Sequence, residues 1–283
     1  MDTQKLLFCY FIFLLLFLFK ISIANEYSCA PSSCGDIHNI SYPFRLKTDP
    51  KACGVDTYEL SCENNSTVLY FNDQLTKLNV KAINYDNYTI RVADPGIDGD
   101  DCSSLPRFGI STFEKVGYSI SIMRRGMLLQ DLTETISFIK CLNPVNSSRY
   151  LEIGSPCING VVNSRMMYNY AFRGRVNAYD DLRENCSVEM TSMLPTRYLE
   201  LDSMEKFVEI HRAMAFGFEV SWYLFYCGNL SCSMQCYLDT TQGNKLGCPT
   251  LDSQFGFRNL VLFSFQDFRK HIRAFFGKDY VNP

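Results

Sequence analysis

The sequence predicts a mainly β chain with minor α content, a disulfide-rich, glycosylated extracellular ectodomain of two cysteine-rich modules. Three observations predict this. Twelve of the thirteen cysteines lie beyond residue 28, an even set that can pair completely. Several segments alternate apolar and polar residues with period two, while one segment alone carries convincing helical spacing. Seven N-x-S/T sequons stand at Asn39, Asn64, Asn65, Asn87, Asn146, Asn185 and Asn229, and their use would place those positions on the surface of a secreted chain.

The N-terminus sets the compartment. Lys5 precedes an unbroken apolar run over 6–19, and Ser22-Ile-Ala24 ends it with small residues. This is the pattern of a signal peptide over 1–24 with cleavage after Ala24. The run is too short to span a bilayer, which takes roughly 20 residues. Cys9 is removed with it. The remaining cysteines are Cys29, Cys34, Cys53, Cys62, Cys102, Cys141, Cys157, Cys186, Cys227, Cys232, Cys236 and Cys248. Behind a signal peptide they read as disulfides, with a connectivity the sequence leaves open. No metal site is expected, because His38, His211 and His271 are the only histidines and none joins a cysteine cluster.

The first module is assigned to 25–158. Leu78, Val80 and Ala82 face one way, Ile83 and Tyr85 the other; Tyr88, Ile90 and Val92 alternate with Thr89 and Arg91. With the turn residues Asn84, Asp86 and Asn87 between them, these form two strands of a hairpin. Residues 118–123 and 136–141 supply further strands. The stretch 94–101 is a turn-rich loop that lacks EF-hand ligand spacing. The second module is assigned to 159–249. Its helix is expected over 202–216, with Asp202 as cap, Glu205 in the first turn, Phe207, Ile210, Ala213 and Met214 on one face, and Gly217 as the stop. His211 is expected on the surface of that helix. Trp222, the only tryptophan, continues the alternation of Phe218 and Val220 and is expected in the core. The tail, 250–283, carries an apolar stripe of Phe265, Phe268, Ile272, Phe275 and Phe276 against Arg269, Lys270 and Arg273, the pattern of an amphipathic helix.

Charge excludes some functions. Residues 26–102 hold six Lys/Arg against twelve Asp/Glu, a net of −6, and no segment is basic enough for nucleic acid. No apolar run of the mature chain reaches the 18 or so residues of a transmembrane span. No kinase set, zinc-binding array, G-x-S-x-G elbow or carboxylate pair points to catalysis, so an enzyme is not expected.

Two blocks carry a resemblance. The first reads Cys29-Ala-Pro-Ser-Ser-Cys34-Gly35, then Ile40-Ser-Tyr42-Pro43-Phe44, Cys53-Gly54 and Leu60-Ser-Cys62. It resembles the galacturonan-binding domain of plant wall-associated receptor kinases. The second, Gly217-Phe218-Glu-Val-Ser-Trp222 followed by Cys227, Cys232, Cys236 and Cys248, is similar to the cysteine-rich segment of leaf-rust-resistance-type receptor-like kinases and of related RING-finger proteins. Arg45 follows Phe44 where the family commonly has glycine, and Asp36 stands where it commonly has asparagine. A kinase or RING domain, with which relatives continue, is absent from the sequence.

The resemblance implies a non-catalytic extracellular module that binds polysaccharide, pectin or galacturonan, in the plant cell wall. The alternative is a protein-interaction ectodomain that regulates, or derives from, a receptor-like kinase or RING-type relative, including a truncated product of such a gene. The expected partners are cell-wall pectin or oligogalacturonide, with a receptor-like kinase as second candidate, and the expected location is the apoplast. No cofactor is expected; calcium enters only as a bridge between acidic protein and acidic pectin. The candidate contacts are Tyr42 and Phe44 of the Tyr-Pro-Phe tripeptide, with Phe44 expected to anchor the loop on the core, and the cations Arg45, Lys47 and Lys51, expected across one exposed loop.

Overall fold

The computed structural model describes residues 29–71, 76–110, 117–126, 128–154, 157, 167–196, 206–227 and 236–248. The expected signal peptide, the C-terminal tail, Asn229 and Cys232 lie outside the described residues. The described part is mainly strands with few helices, as the period-two segments predict.

Strands β1 (Ser32–Cys34) and β2 (Ile37–Ile40) make a short antiparallel pair. They precede a six-stranded sheet built from β3 (Arg45–Leu46), β4 (Glu59–Glu63), β5 (Ser66–Phe71), β6 (Thr76–Asn84) and β7 (Thr89–Ala93), with β14 (Phe218–Ser221) on the far edge. Its order is β14-β7-β6-β5-β4-β3, antiparallel except for the β3–β4 pair. A second sheet has the order β11-β12-β10-β13, from β10 (Thr133–Cys141), β11 (Tyr150–Glu152), β12 (Tyr168–Arg173) and β13 (Cys186–Pro195). A third combines the hairpin β8 (Ser121–Arg124) and β9 (Leu128–Asp131) with β15 (Tyr237–Asp239) and β16 (Lys245–Gly247). All three sheets thus pair strands from either side of residues 158 and 159.

The hairpin β6–β7 follows the expected alternation only in part. Val80 pairs with Val92 and Ala82 with Arg91, so one extra β6 residue bulges out of the ladder. A bulge shifts the alternation by one position. Consequently Ile83 and Tyr85, expected on the face opposite Leu78 and Val80, pack against the same core. That core also takes in Phe44, Leu60, Leu69, Ile90, Val92, Val220 and Trp222. Trp222 is fully buried, as the alternation through Phe218 and Val220 predicts.

The helix α1 (Phe207–Phe216) buries Phe207, Ile210, Ala213 and Met214, the face its spacing defines. They pack on Ile136, Phe138 and Ala171 of the second sheet. Gly217 ends α1 at φ 94°, and its N–H donates to the carbonyls of Ala213 and Met214. The expected cap Asp202 and Glu205 lie outside the described residues. His211 corrects the expectation of a surface histidine. It is 0% exposed, because the loop 98–104 folds over that turn of the helix and Ser104 meets its ring.

Five disulfides join Cys29 to Cys53, Cys34 to Cys62, Cys102 to Cys157, Cys141 to Cys186, and Cys227 to Cys236. Cys248 is disulfide-bonded as well. The Cys141–Cys186 bridge links residues directly opposite each other in the β10–β13 ladder. Among the described sequons, Asn39, Asn64, Asn65, Asn146 and Asn185 are exposed and Asn87 is half-buried.

Candidate functional site

The Tyr-Pro-Phe tripeptide sits at the entry to β3. Phe44 turns inward, 1% exposed, and its ring meets Trp222 edge-on at 4.7 Å. Tyr85 fixes the backbone just before the tripeptide: its hydroxyl accepts from the Ser41 N–H at 2.7 Å and donates to the Ser41 carbonyl at 3.0 Å. The Pro43 carbonyl accepts from the Val55 N–H at 3.0 Å. The peptide bond between Tyr42 and Pro43 is cis. Tyr42, by contrast, is 52% exposed.

Gly35 and Gly54, each directly after a cysteine of the first block, answer to close approach. Gly35 lies at φ 57°, and a Cβ there would come within 2.1 Å of the Asn65 carbonyl oxygen. Gly54 has an extended backbone. A Cβ on it would stand 2.7 Å from the Cβ of Arg45 and 3.0 Å from the Pro43 oxygen. The lack of a side chain at Gly54 therefore lets Arg45 lie across it.

Arg45 corrects the expectation of an exposed cationic loop. It is a strand residue, 3% exposed, and its guanidinium makes ion pairs with Asp56 at 2.8 Å and Glu59 at 2.5 Å. The physical reason is its position between Phe44 and Leu46, both buried: the chain carries the arginine under the Cys53–Tyr58 segment, where two carboxylates compensate it. The hydrogen bond to Arg45 holds the Asp56 carboxyl below the usual range, with a smaller contribution from Lys51. Lys47 and Lys51 are exposed as expected, but Glu63 and Asp56 lie in their fields. Of the five predicted contacts, the structure thus leaves Tyr42, Lys47 and Lys51 open to solvent and commits Phe44 and Arg45 to the interior.

The structure adds a group that the sequence pattern does not single out. The short helix α2 (Tyr223–Cys227) follows Trp222 and places Phe225 5.9 Å from Tyr42, ring to ring. Tyr226 stands 5.1 Å beyond Phe225, and Tyr88 5.4 Å beyond Tyr226. Phe225, Tyr226 and Tyr88 are each half-buried. Burial raises the Tyr226 hydroxyl above its ordinary pKa. The available signal is the aromatic density of Trp222-Tyr-Leu-Phe-Tyr226, which on its own reads only as core.

A Ser–His contact joins the loop 98–104 to α1. The His211 Nε2 stands 3.0 Å from both the Ser104 hydroxyl and the Ser104 carbonyl. A carbonyl only accepts, so Nε2 carries the proton and Nδ1 the lone pair. Nδ1 is buried without a partner, so no carboxylate orients the ring as a catalytic triad requires. The contact is a structural tie. Among the described residues no group of His, Cys, Asp and Glu is arranged to hold a metal ion, and no helix is long and apolar enough to cross a membrane.

Residues 29–94 match the family model described as wall-associated receptor kinase galacturonan-binding. This stretch begins at the first disulfide cysteine, contains the Tyr-Pro-Phe turn and both N-terminal bridges, and ends just past β7. Residues 29–94 are thus similar to that family. Within the matched stretch lie Tyr42, Lys47, Lys51 and the Arg45 ion pairs, while β14, Trp222 and α2, which complete its sheet and core, lie outside it. No curated protein and no solved structure matches the chain.

Proposed function

We propose that the protein is a non-catalytic extracellular module that binds pectin, a galacturonan, in the plant cell wall. The observation that carries this reading is the match of residues 29–94 to the galacturonan-binding family. The geometry supports it in one respect: a turn anchored by Phe44 and Tyr85 holds Tyr42 out to solvent. Five disulfides suit an oxidising compartment such as the apoplast. The test is retention of the glycosylated protein on immobilised pectins of low and high methyl esterification, with and without calcium, against a cellulose control. Retention on pectin alone supports the reading; equal passage through every column overturns it.

A second reading, a protein-interaction ectodomain that regulates a receptor-like kinase, is favoured by one observation. Among the described residues β9 is an edge strand, and its Leu128 and Leu129 are 68% and 62% exposed. Exposed apolar side chains on a sheet edge suit strand addition by a partner chain.

A further inference from the structure

We propose that a cavity between the second sheet, the loop over 102–105 and the start of α1 is a binding site for a small amphipathic carboxylate. This site shares no residue with 29–94 and stands or falls apart from pectin binding.

The alternation of β10 gives the cavity two unlike ends. Ile136, Phe138 and Lys140 share one face of that strand and stand opposite Arg173, Ala171 and Asn169 of β12. The helix α1 packs on Ile136, Phe138 and Ala171. At Lys140 and Asn169 the same face turns polar. The cavity of about 430 Å³ reaches across this change. Its apolar end holds buried Ile153 and the edge-on pair of Phe138 and Phe207, 6.2 Å apart. Its polar end holds Lys140 and Asn169. Leu105 also lines it and is 55% exposed, so the cavity opens to solvent there.

The walls are fixed before any ligand arrives. The Cys102–Cys157 bridge lines the cavity and fastens the loop to the chain beyond β11. The contact between Ser104 and His211 ties that loop to α1. The Ile153 N–H donates to the Asn169 carbonyl at 2.8 Å. Walls held in this way lose little freedom on binding, and the volume falls within the roughly 300–1,000 Å³ of small-molecule sites.

Charge selects the ligand. Lys140 is half-buried, and its ammonium makes no ion pair among the described residues. It therefore lacks the compensation that Arg45 receives. A ligand carboxylate would supply it, with the Asn169 amide as a second donor, while an apolar ring system fills the Phe138–Phe207 end. One carboxylate of the protein, Glu189, also lines the cavity; it is the extra residue where β13 bulges beside Phe138 and Ile139. Glu189 is exposed and accepts from the Ser187 hydroxyl at 2.9 Å, so solvent screens it more than Lys140.

The experiment titrates the glycosylated, disulfide-bonded protein with naphthoate, naphthamide and naphthylmethylamine, which share one ring system and differ in charge, and reads Kd by calorimetry. Wild type, Lys140→Met, Lys140→Arg and the exposed β6 control Lys81→Met are compared, with the thermal midpoint reporting that each is folded. The expected result is that naphthoate binds roughly tenfold more tightly than naphthamide and the amine binds most weakly. Lys140→Met then removes the preference for naphthoate, while Lys140→Arg and Lys81→Met keep it. Equal binding of the three probes, tightest binding of the amine, binding of none, or a preference that survives in folded Lys140→Met overturns the site. Each of these results leaves the pectin reading standing.

Discussion

At the residue scale, two charged or chargeable side chains sit where sequence pattern places water. Arg45 is compensated by two carboxylates and stays charged. His211 is not compensated in that way. Its Nε2–H is tied to Ser104 and its Nδ1 lone pair faces no donor, so protonation would create a buried charged N–H with no acceptor. Burial therefore holds the imidazole below its ordinary pKa; the Ser104 carbonyl and the Asp101 and Asp98 carboxylates oppose this and lose. The folded-state pKa lies below the unfolded value of about 6.5. His211 thus contributes its full stability above that value, and the contribution is lost as pH falls below it. Urea midpoints are expected to decline from pH 7.5 to pH 5.5 in the wild type and to decline less in His211→Gln. Parallel declines in the two proteins would show that another group carries the pH dependence.

At the element scale, the join between α1 and β14 rests on one glycine. Gly217 has φ 94°, and a Cβ on it would stand 2.5 Å from the Val92 oxygen, in the strand to which β14 pairs. Gly126 also has a positive φ, 82°, but nothing lies within 4 Å of its would-be Cβ. Gly126→Ala carries only backbone strain, about 1 kcal/mol. Gly217→Ala adds a backbone clash that forces β14 from β7, and is expected to cost about 3 kcal/mol or more. Chemical denaturation followed by Trp222 emission distinguishes them; equal losses would refute the clash. The same elements mark what is legible in the sequence. The alternation in β6 and β7, the apolar face of α1 and the Gly217 stop are readable because each is a local pattern. The bulge after Val80 is not, since a single extra residue leaves no mark in composition yet turns Ile83 and Tyr85 inward. Nor is the partner of β14, because Phe218 and Val92 are neighbours in space and far apart along the chain. Arg45 is misplaced for another reason. Pattern alone equates charge with exposure, whereas ion pairing buries Arg45; the α2 rings Phe225 and Tyr226 do pack against the core, and Phe225 also reaches Tyr42.

At the scale of the whole molecule, the matched domain and the rest of the chain share one sheet and one core. Each disulfide joining described residues spans a sequence separation of at most 55, and none of these ties 29–94 to the strands beyond it. What does tie them is β14 on the edge of β7, Trp222 against Phe44 and Tyr85, and Met193 in the same core. Cut at residue 94, the domain would keep both of its bridges but uncover Phe44, Ile90 and Val92 and leave the β7 edge unpaired. An apolar, unpaired edge promotes association between chains. Loss of the fully buried tryptophan alone is worth about 3–5 kcal/mol by analogy with truncating a core aromatic. That is a large part of the roughly 5–15 kcal/mol that stabilises a whole domain. A fragment of residues 29–94 secreted from an oxidising host is therefore expected to form its two disulfides yet lack a cooperative thermal transition, or to aggregate. A longer chain ending at residue 248, produced in the same host, is expected to melt cooperatively. A cooperative, monomeric melt of the 29–94 fragment, followed by circular dichroism, would show that the domain is self-sufficient and that β14 and Trp222 are additions to a finished fold.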